Sequence, residues 1–149
     1  MHYENLLLEY DDIKVKEKNL QYGFKGLYKD GVIIIDKSLS FIEKGCILAE
    51  ELGHHNKTVG NILDQSKISN VKQEKIARGW AHNKIMPLSC FVDAYRYGCR
   101  NRYEVAEYLN VTEEFLQEAL DRYIEKYGDY VVEENLIILL NPLNIIENR

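Results

Sequence analysis

The chain has 149 residues, of which 46% are hydrophobic and 29% charged, with a net charge of −5 and a pI of about 5.4. This is an ordinary composition for a globular protein large enough to bury a core. The acidic balance argues against a chain built to coat nucleic acid or an anionic membrane, and no apolar run reaches the roughly 18 residues of a membrane-spanning helix.

Cys46, Cys90 and Cys99 lack zinc-finger spacing and are expected as buried or partly buried thiols. Met1-His-Tyr-Glu-Asn5 has no basic n-region, so a cytoplasmic protein is expected, neither secreted nor anchored. Tyr3, Leu6, Leu7 and Tyr10 recur at helical spacing and predict a helix over 2–12, broken by Asp11-Asp12. Ile13 to Lys16 alternates as a short strand does. Lys29-Asp30-Gly31 separates the apolar runs Phe24–Tyr28 and Val32–Asp36, which predicts a hairpin because Asp and Gly tolerate positive φ. Val32–Ile35 is continuous and β-branched, as expected of a central strand buried on both faces.

Ser40-Phe-Ile-Glu43 is a capping box opening a helix to about His54. Its expected core stripe is Phe41, Gly45, Leu48 and Leu52, with Ile47 beside it. Gly53 allows a close approach of backbone or substrate. Residues 57–67 read as loop or irregular helix. A second helix starts near Ser69 or Asn70, carries Gln73, Glu74, Ala77, Trp80, Ala81 and Lys84, and is ended by Pro87. Three short helices follow. Ser89 is the expected cap of the first, which stops at Gly98. Asn101 with Glu104 caps the second, Arg102–Leu109, and Thr112 caps the third, Glu113–Tyr127, closed by Gly128. Val131-Val132 and Leu136–Leu140 are expected strands around a Glu-Glu-Asn turn. The fold class is therefore α+β. Pro87 is the one plausible seam, between a core at 1–87 and a helical tail with terminal strands at 88–149, packed as one compact unit.

The chemistry concentrates in Cys46-Ile-Leu-Ala-Glu-Glu-Leu-Gly-His-His55. Residues i and i+4 share a helix face, so Glu50 and His54 can hold one metal ion. Glu51 lies about 100° round, placed to take a proton from water without ligating. This is the logic of the H-E-x-x-H helix, with Glu50 at the first ligand position. A carboxylate in that place is competent but more anionic, which lowers Lewis acidity and favours harder ions such as manganese. The competing reading is a solvated Glu pair with two His near a helix C-terminus. Cys46 shares the face of Glu50; packing is its expected role and ligation the alternative.

Catalytic zinc commonly takes three protein ligands. Glu74 on the next helix, His82 and His55 are the candidates. Glu74 also suits a solvated surface, and His82 reads first as an exposed helix residue. Glu74 and His82 are eight residues apart, just over two turns, so one ion is not expected to take both. His55 is expected as a substrate-facing or capping residue near the ion, although Glu51 with His55 also satisfies the i, i+4 spacing. The tyrosines crowd the C-terminal half, most with expected solvated hydroxyls.

Leu48-Ala-Glu-Glu-Leu-Gly-His-His55, preceded by Gly26-Leu-Tyr-Lys-Asp-Gly-Val-Ile-Ile-Ile-Asp36 and followed by Gln73–Ala81 and Met86-Pro87, resembles the ImmA/IrrE family of metallopeptidases. The likeness covers roughly residues 24–87 and, less specifically, 88–127. It implies a minimal zincin-like fold with a small sheet and hairpin, an active-site helix and a second ligand helix. It also implies a Zn2+ cofactor, with Mn2+ possible, and cleavage of a helix-turn-helix repressor that derepresses prophage or mobile-element genes. Glu50 stands where the family's first metal-binding His usually stands, Glu51 matches its general base, and His54 its second ligand. The family's third ligand is a Glu on the following helix. Glu74 is the only Glu there, although counting from Trp80-Ala81 the usual position falls nearer Ile76.

Two other readings compete. The departure at Glu50 suits a catalytically inactive relative that binds the repressor as an antirepressor. Tyr103–Leu116 has a helix-turn-helix look, with Ala106 and Val111 at packing positions. Residues 102–127, however, hold three basic side chains against seven acidic ones, the wrong sign for reading phosphates. A structural or protein-docking role is expected there, with no direct nucleic-acid contact.

Overall fold

A computed structural model describes the backbone of residues 1–60 and 70–147 and the side chains of 1–56 and 72–147. The expected loop at 57–67 lies outside these residues from position 61 on, as does Ser69. The chain forms two compact units, Met1–Ile85 and Met86–Arg149. Both mix helix with sheet, as an α+β chain should.

The first unit contains α1 (His2–Glu9), β1 (Lys14–Lys18), β2 (Gly26–Lys29), β3 (Val32–Asp36), α2 (Phe41–Gly60) and α3 (Asn70–Ile85). Its sheet runs β1-β3-β2, with β1 parallel and β2 antiparallel to β3. The hairpin forms at the expected turn, with φ of 52° at Asp30 and 78° at Gly31. Both signs match a type I′ turn, whose twist suits a two-residue hairpin. β3 is central, but burial corrects the expectation of two covered faces. Ile33 and Ile35 are fully buried, whereas Val32, Ile34 and Asp36 are half-buried. The strand has one core face.

The first helix is shorter than expected, ending at Glu9, with Tyr10 as its C-cap. In the capping box, Glu43 N–H donates to Ser40 Oγ at 3.2 Å, while the Glu43 carboxylate pairs with Lys25 Nζ at 2.7 Å. α2 runs past His54 to Gly60. Cys46, Leu48, Ala49 and Leu52 are buried along it. Phe41 is not part of this core: it is 55% exposed and lays its ring against Tyr3. At the first turn of a helix one side is open, so a large ring can cover a neighbour without entering the core. α3 presents Ala77, Ala81 and His82 inward, and Trp80 meets the edge of Tyr10. His82 is only 2% exposed, which corrects the expected surface position.

The second unit contains α4 (Ser89–Tyr97), α5 (Arg102–Leu109), α6 (Glu113–Tyr127), β4 (Tyr130–Glu133), β5 (Leu136–Leu140) and β6 (Leu143–Glu147). Ser89 is the first helical residue rather than the cap; Leu88 holds that position without a side-chain bond. The other caps form as expected. Asn101 Oδ1 accepts from Glu104 N–H at 2.9 Å, and Thr112 Oγ1 from Phe115 N–H at 3.0 Å. The Glu104 carboxylate reaches one residue further than a capping box requires, accepting from Arg100 N–H at 2.7 Å. The strands form an antiparallel meander, β4-β5-β6. β6 has no counterpart among the expected strands; only Leu143, Ile145 and Ile146 are apolar in it, a weak strand signal. Tyr123 is the buried exception among the C-terminal tyrosines, donating its hydroxyl to Met86 O at 2.7 Å. No helix among the described residues is long and apolar enough to cross a membrane.

Candidate active site

Two close approaches shape the surroundings of the Glu-Glu-Leu-Gly-His-His turn. A Cβ on Gly53 would lie 2.3 Å from the Ala77 carbonyl oxygen, so only glycine lets α2 and α3 meet backbone to backbone there. Glu74 lies nearly one turn before Ala77 and is brought beside α2. Its Oε1 is 3.0 Å from His54 Nε2. On the other side, a Cβ on Gly26 would lie 2.5 Å from Ile47 Cγ2 and 3.2 Å from Glu51 Oε1. Strand β2 therefore presses its bare backbone onto the Glu51 carboxylate.

That cover has an electrostatic consequence. Burial pushes the Glu51 carboxyl up to about 7, and the negative charges of Glu50 and Glu74 push the same way. Glu51 is poised to exchange a proton near neutral pH, as a general base must. Two residues along β2 on the same face, Tyr28 Oη lies 3.0 Å from His55 Nδ1, their rings edge to face at 5.5 Å. A strand step of two matches a helix step of four, so Gly26 meets Glu51 and Tyr28 meets His55.

The structure thus brings Glu50, Glu51, His54 and Glu74 into one electrostatic neighbourhood. It turns His55 toward Tyr28 and buries His82 in the core. Cys46 is buried at 4% exposure. Arg78 Nε stands 3.8 Å from Glu74 Oε2. Tyr28 escaped the sequence reading. Its place in a hairpin strand follows from the Asp30-Gly31 turn, but that place has no functional meaning until β2 is known to lie along α2.

A divalent cation fits this donor set in kind: one imidazole and carboxylates of excess negative charge. His54 and Glu74 already place two donors side by side. Among the described residues, no three His, Cys, Asp or Glu side chains form a ready-made metal-holding group, so the third donor is not in place beside that pair.

No curated protein matches the chain. A family model described as the IrrE N-terminal-like domain, Peptidase_M78, matches residues 5–121. The match spans β2, α2, α3 and the residues gathered above, and continues into α6. Such a family implies a metallopeptidase-type function, a metal cofactor and a protein substrate. On the extent of that match, the chain belongs to the Peptidase_M78 family of IrrE N-terminal-like domains.

Proposed function

We propose that the protein is a cytoplasmic, zinc-dependent metallo-endopeptidase that cleaves a helix-turn-helix repressor of a prophage or mobile element, with manganese as the alternative ion. The observation that carries the reading is Glu51, a half-buried carboxyl held near 7 beside Glu50, Glu74 and the His54–Glu74 contact. An isolated surface Glu pair would have no reason to be covered by strand backbone.

Glu50, His54 and Glu74 would hold the ion, and Glu51 stays outside the ligand set. When bound, the ion supplies Lewis acidity to an amide carbonyl. Glu51 accepts a proton from the attacking water and returns it to the leaving amine, a transfer its near-neutral proton affinity favours in both directions. The bare backbone at Gly26 helps to hold that carboxylate against bulk water. His55, oriented by Tyr28, lines the neighbouring wall, where it can hydrogen-bond a substrate backbone. The acidic surface of α5 and α6 suits a basic protein partner better than nucleic acid, and we place repressor docking there.

The test is metal analysis of untagged protein beside Glu50→Ala and His54→Ala, followed by cleavage of candidate repressors. About one ion per chain, lost in both variants, and fragments formed with the enzyme substoichiometric are the expected results. A parent that takes up no metal even after supplementation would overturn the enzymatic reading. The second reading, a non-cleaving antirepressor, draws on Glu50 in the place of a His. It requires stoichiometric repressor binding without fragments.

A further inference from the structure

The C-terminal unit contains a pocket of about 580 Å³ between the α4–α5 connection and β6. That volume is in the range of small-molecule sites, roughly 300–1,000 Å³. Its polar lining is one-sided. Arg96, Arg100, Asn101 and Asn144 contribute to it, and no carboxylate does, on a chain of net charge −5.

The two asparagines have their acceptor ends committed. Asn101 Oδ1 accepts from Glu104 N–H at 2.9 Å, and Asn144 Oδ1 from Ile145 N–H at 2.9 Å. With each oxygen held by a backbone N–H, each side chain keeps its amide N–H pair to offer a guest. A guanidinium offers only donors. Arg96 is tethered to Glu134 through a 2.9 Å contact, whereas Arg100 makes no ion pair among the described residues. The pocket also borders the N-terminus of α5, whose dipole adds positive potential. Tyr95, Val105, Leu143 and Ile145 supply the apolar walls. Glu104, which takes Arg100's backbone N–H, lines the adjacent groove instead.

We propose that this pocket binds a small organic anion, a phosphate or carboxylate head on a planar or apolar body. The donors receive the head, with Arg100 as its principal partner, and the apolar walls receive the body. Paired N–H donors of a guanidinium match the oxygens of either head group. The inference does not rest on the peptidase reading, because every residue it uses lies in the second unit.

The test is calorimetric titration of the full chain with adenosine 5′-monophosphate and with phenylacetate, one probe for each head group. Adenosine and inorganic phosphate serve as the separated parts. Saturable binding of at least one probe is expected, weakened about tenfold or more by Arg100→Ala. Asn101→Asp and Asn144→Asp each keep the acceptor their backbone partner needs but replace donors with negative charge, so each should weaken the same probe by a similar factor. Lys37→Ala, an exposed change in the other unit, should leave binding unaltered. The proposal is overturned if neither probe saturates at millimolar concentration. It is equally overturned if adenosine binds as well as its monophosphate where that is the bound probe, or if all three pocket variants, with melting temperatures matching the parent, bind like the parent.

Discussion

Helices α2 and α6 are the long helices of their units, and they treat charge in opposite ways. In α6, Phe115, Leu116, Ala119, Leu120 and Tyr123 are buried, Glu113 and Glu114 sit in the first turn, and Lys126 sits in the last. These first- and last-turn charges agree with the dipole, with Glu125 in the last turn the exception. In α2, Glu50, Glu51 and His54 are half-buried; His54 meets Glu74, and Glu51 lies against the backbone of β2. One helix is arranged for stability. The other stores unfavourable electrostatics where proton transfer is proposed, as functional sites commonly break local rules.

The largest expected effect tests that contrast directly. Glu51→Gln should lower repressor cleavage by about 10²–10⁴-fold, measured with a cleavable substrate and unchanged metal content. Unchanged cleavage would remove Glu51 from the mechanism. The same variant should behave differently in the metal-free chain. Glu51 has its proton affinity raised to about 7 from an ordinary 4.5 in the folded state. The folded state therefore binds the proton more tightly, and this stabilisation is fully present below 4.5 and lost as pH rises through 7. Ionising Glu51 in the fold costs on the order of 3 kcal/mol at about pH 8. Urea unfolding should show Glu51→Gln more stable than the parent there and little different near pH 4. An equal difference at both pH values would show that the carboxyl is not strained.

Leu116→Ala sharpens the other side of the comparison. Leu116 is fully buried on α6, so the cavity should cost about 2–5 kcal/mol in urea unfolding. Metal uptake at the first unit should survive under conditions where both units remain folded. A loss below about 1 kcal/mol would mean that α6 is not anchored as described.

Gly53→Ala comes next. Its Cβ would meet the Ala77 carbonyl, a backbone atom that cannot swing aside. Overpacking of about 1–3 kcal/mol should outweigh the roughly 1 kcal/mol helix-propensity gain. Pushing α3 away should also weaken metal binding, because Glu74 moves with it. A stabilised variant with parental metal affinity would refute the close approach. The smallest effect is Thr112→Ala, which removes the α6 cap and should cost about 1 kcal/mol without altering metal content; a change in metal content would contradict the separate roles assigned to the two helices.

Local signals were the legible ones. The Asp30-Gly31 hairpin, the Asn101 and Thr112 caps, and the helix presenting Glu50, Glu51 and His54 all follow from interactions within about four residues. The misreadings needed distant partners. His82 has the sequence of a surface residue and becomes buried because α3 packs an alanine-rich face inward. Phe41 has a core residue's chemistry and stays half outside at a helix start. β6 has too few apolar residues to stand out in sequence and is defined by pairing with β5.

The sequence by itself therefore determined the family likeness, the helix that carries Glu50, Glu51 and His54, and the angular relation among them, since helix geometry is periodic and local. Only the tertiary structure decided that Glu74 meets His54, that Gly26 covers Glu51, and that Tyr28 meets His55. Those contacts depend on how closely α3 and β2 approach α2, and that distance is set by Gly53 against Ala77 and Gly26 against Ile47. Residues far apart in sequence acquire a common chemistry only when packing brings them within a few ångströms.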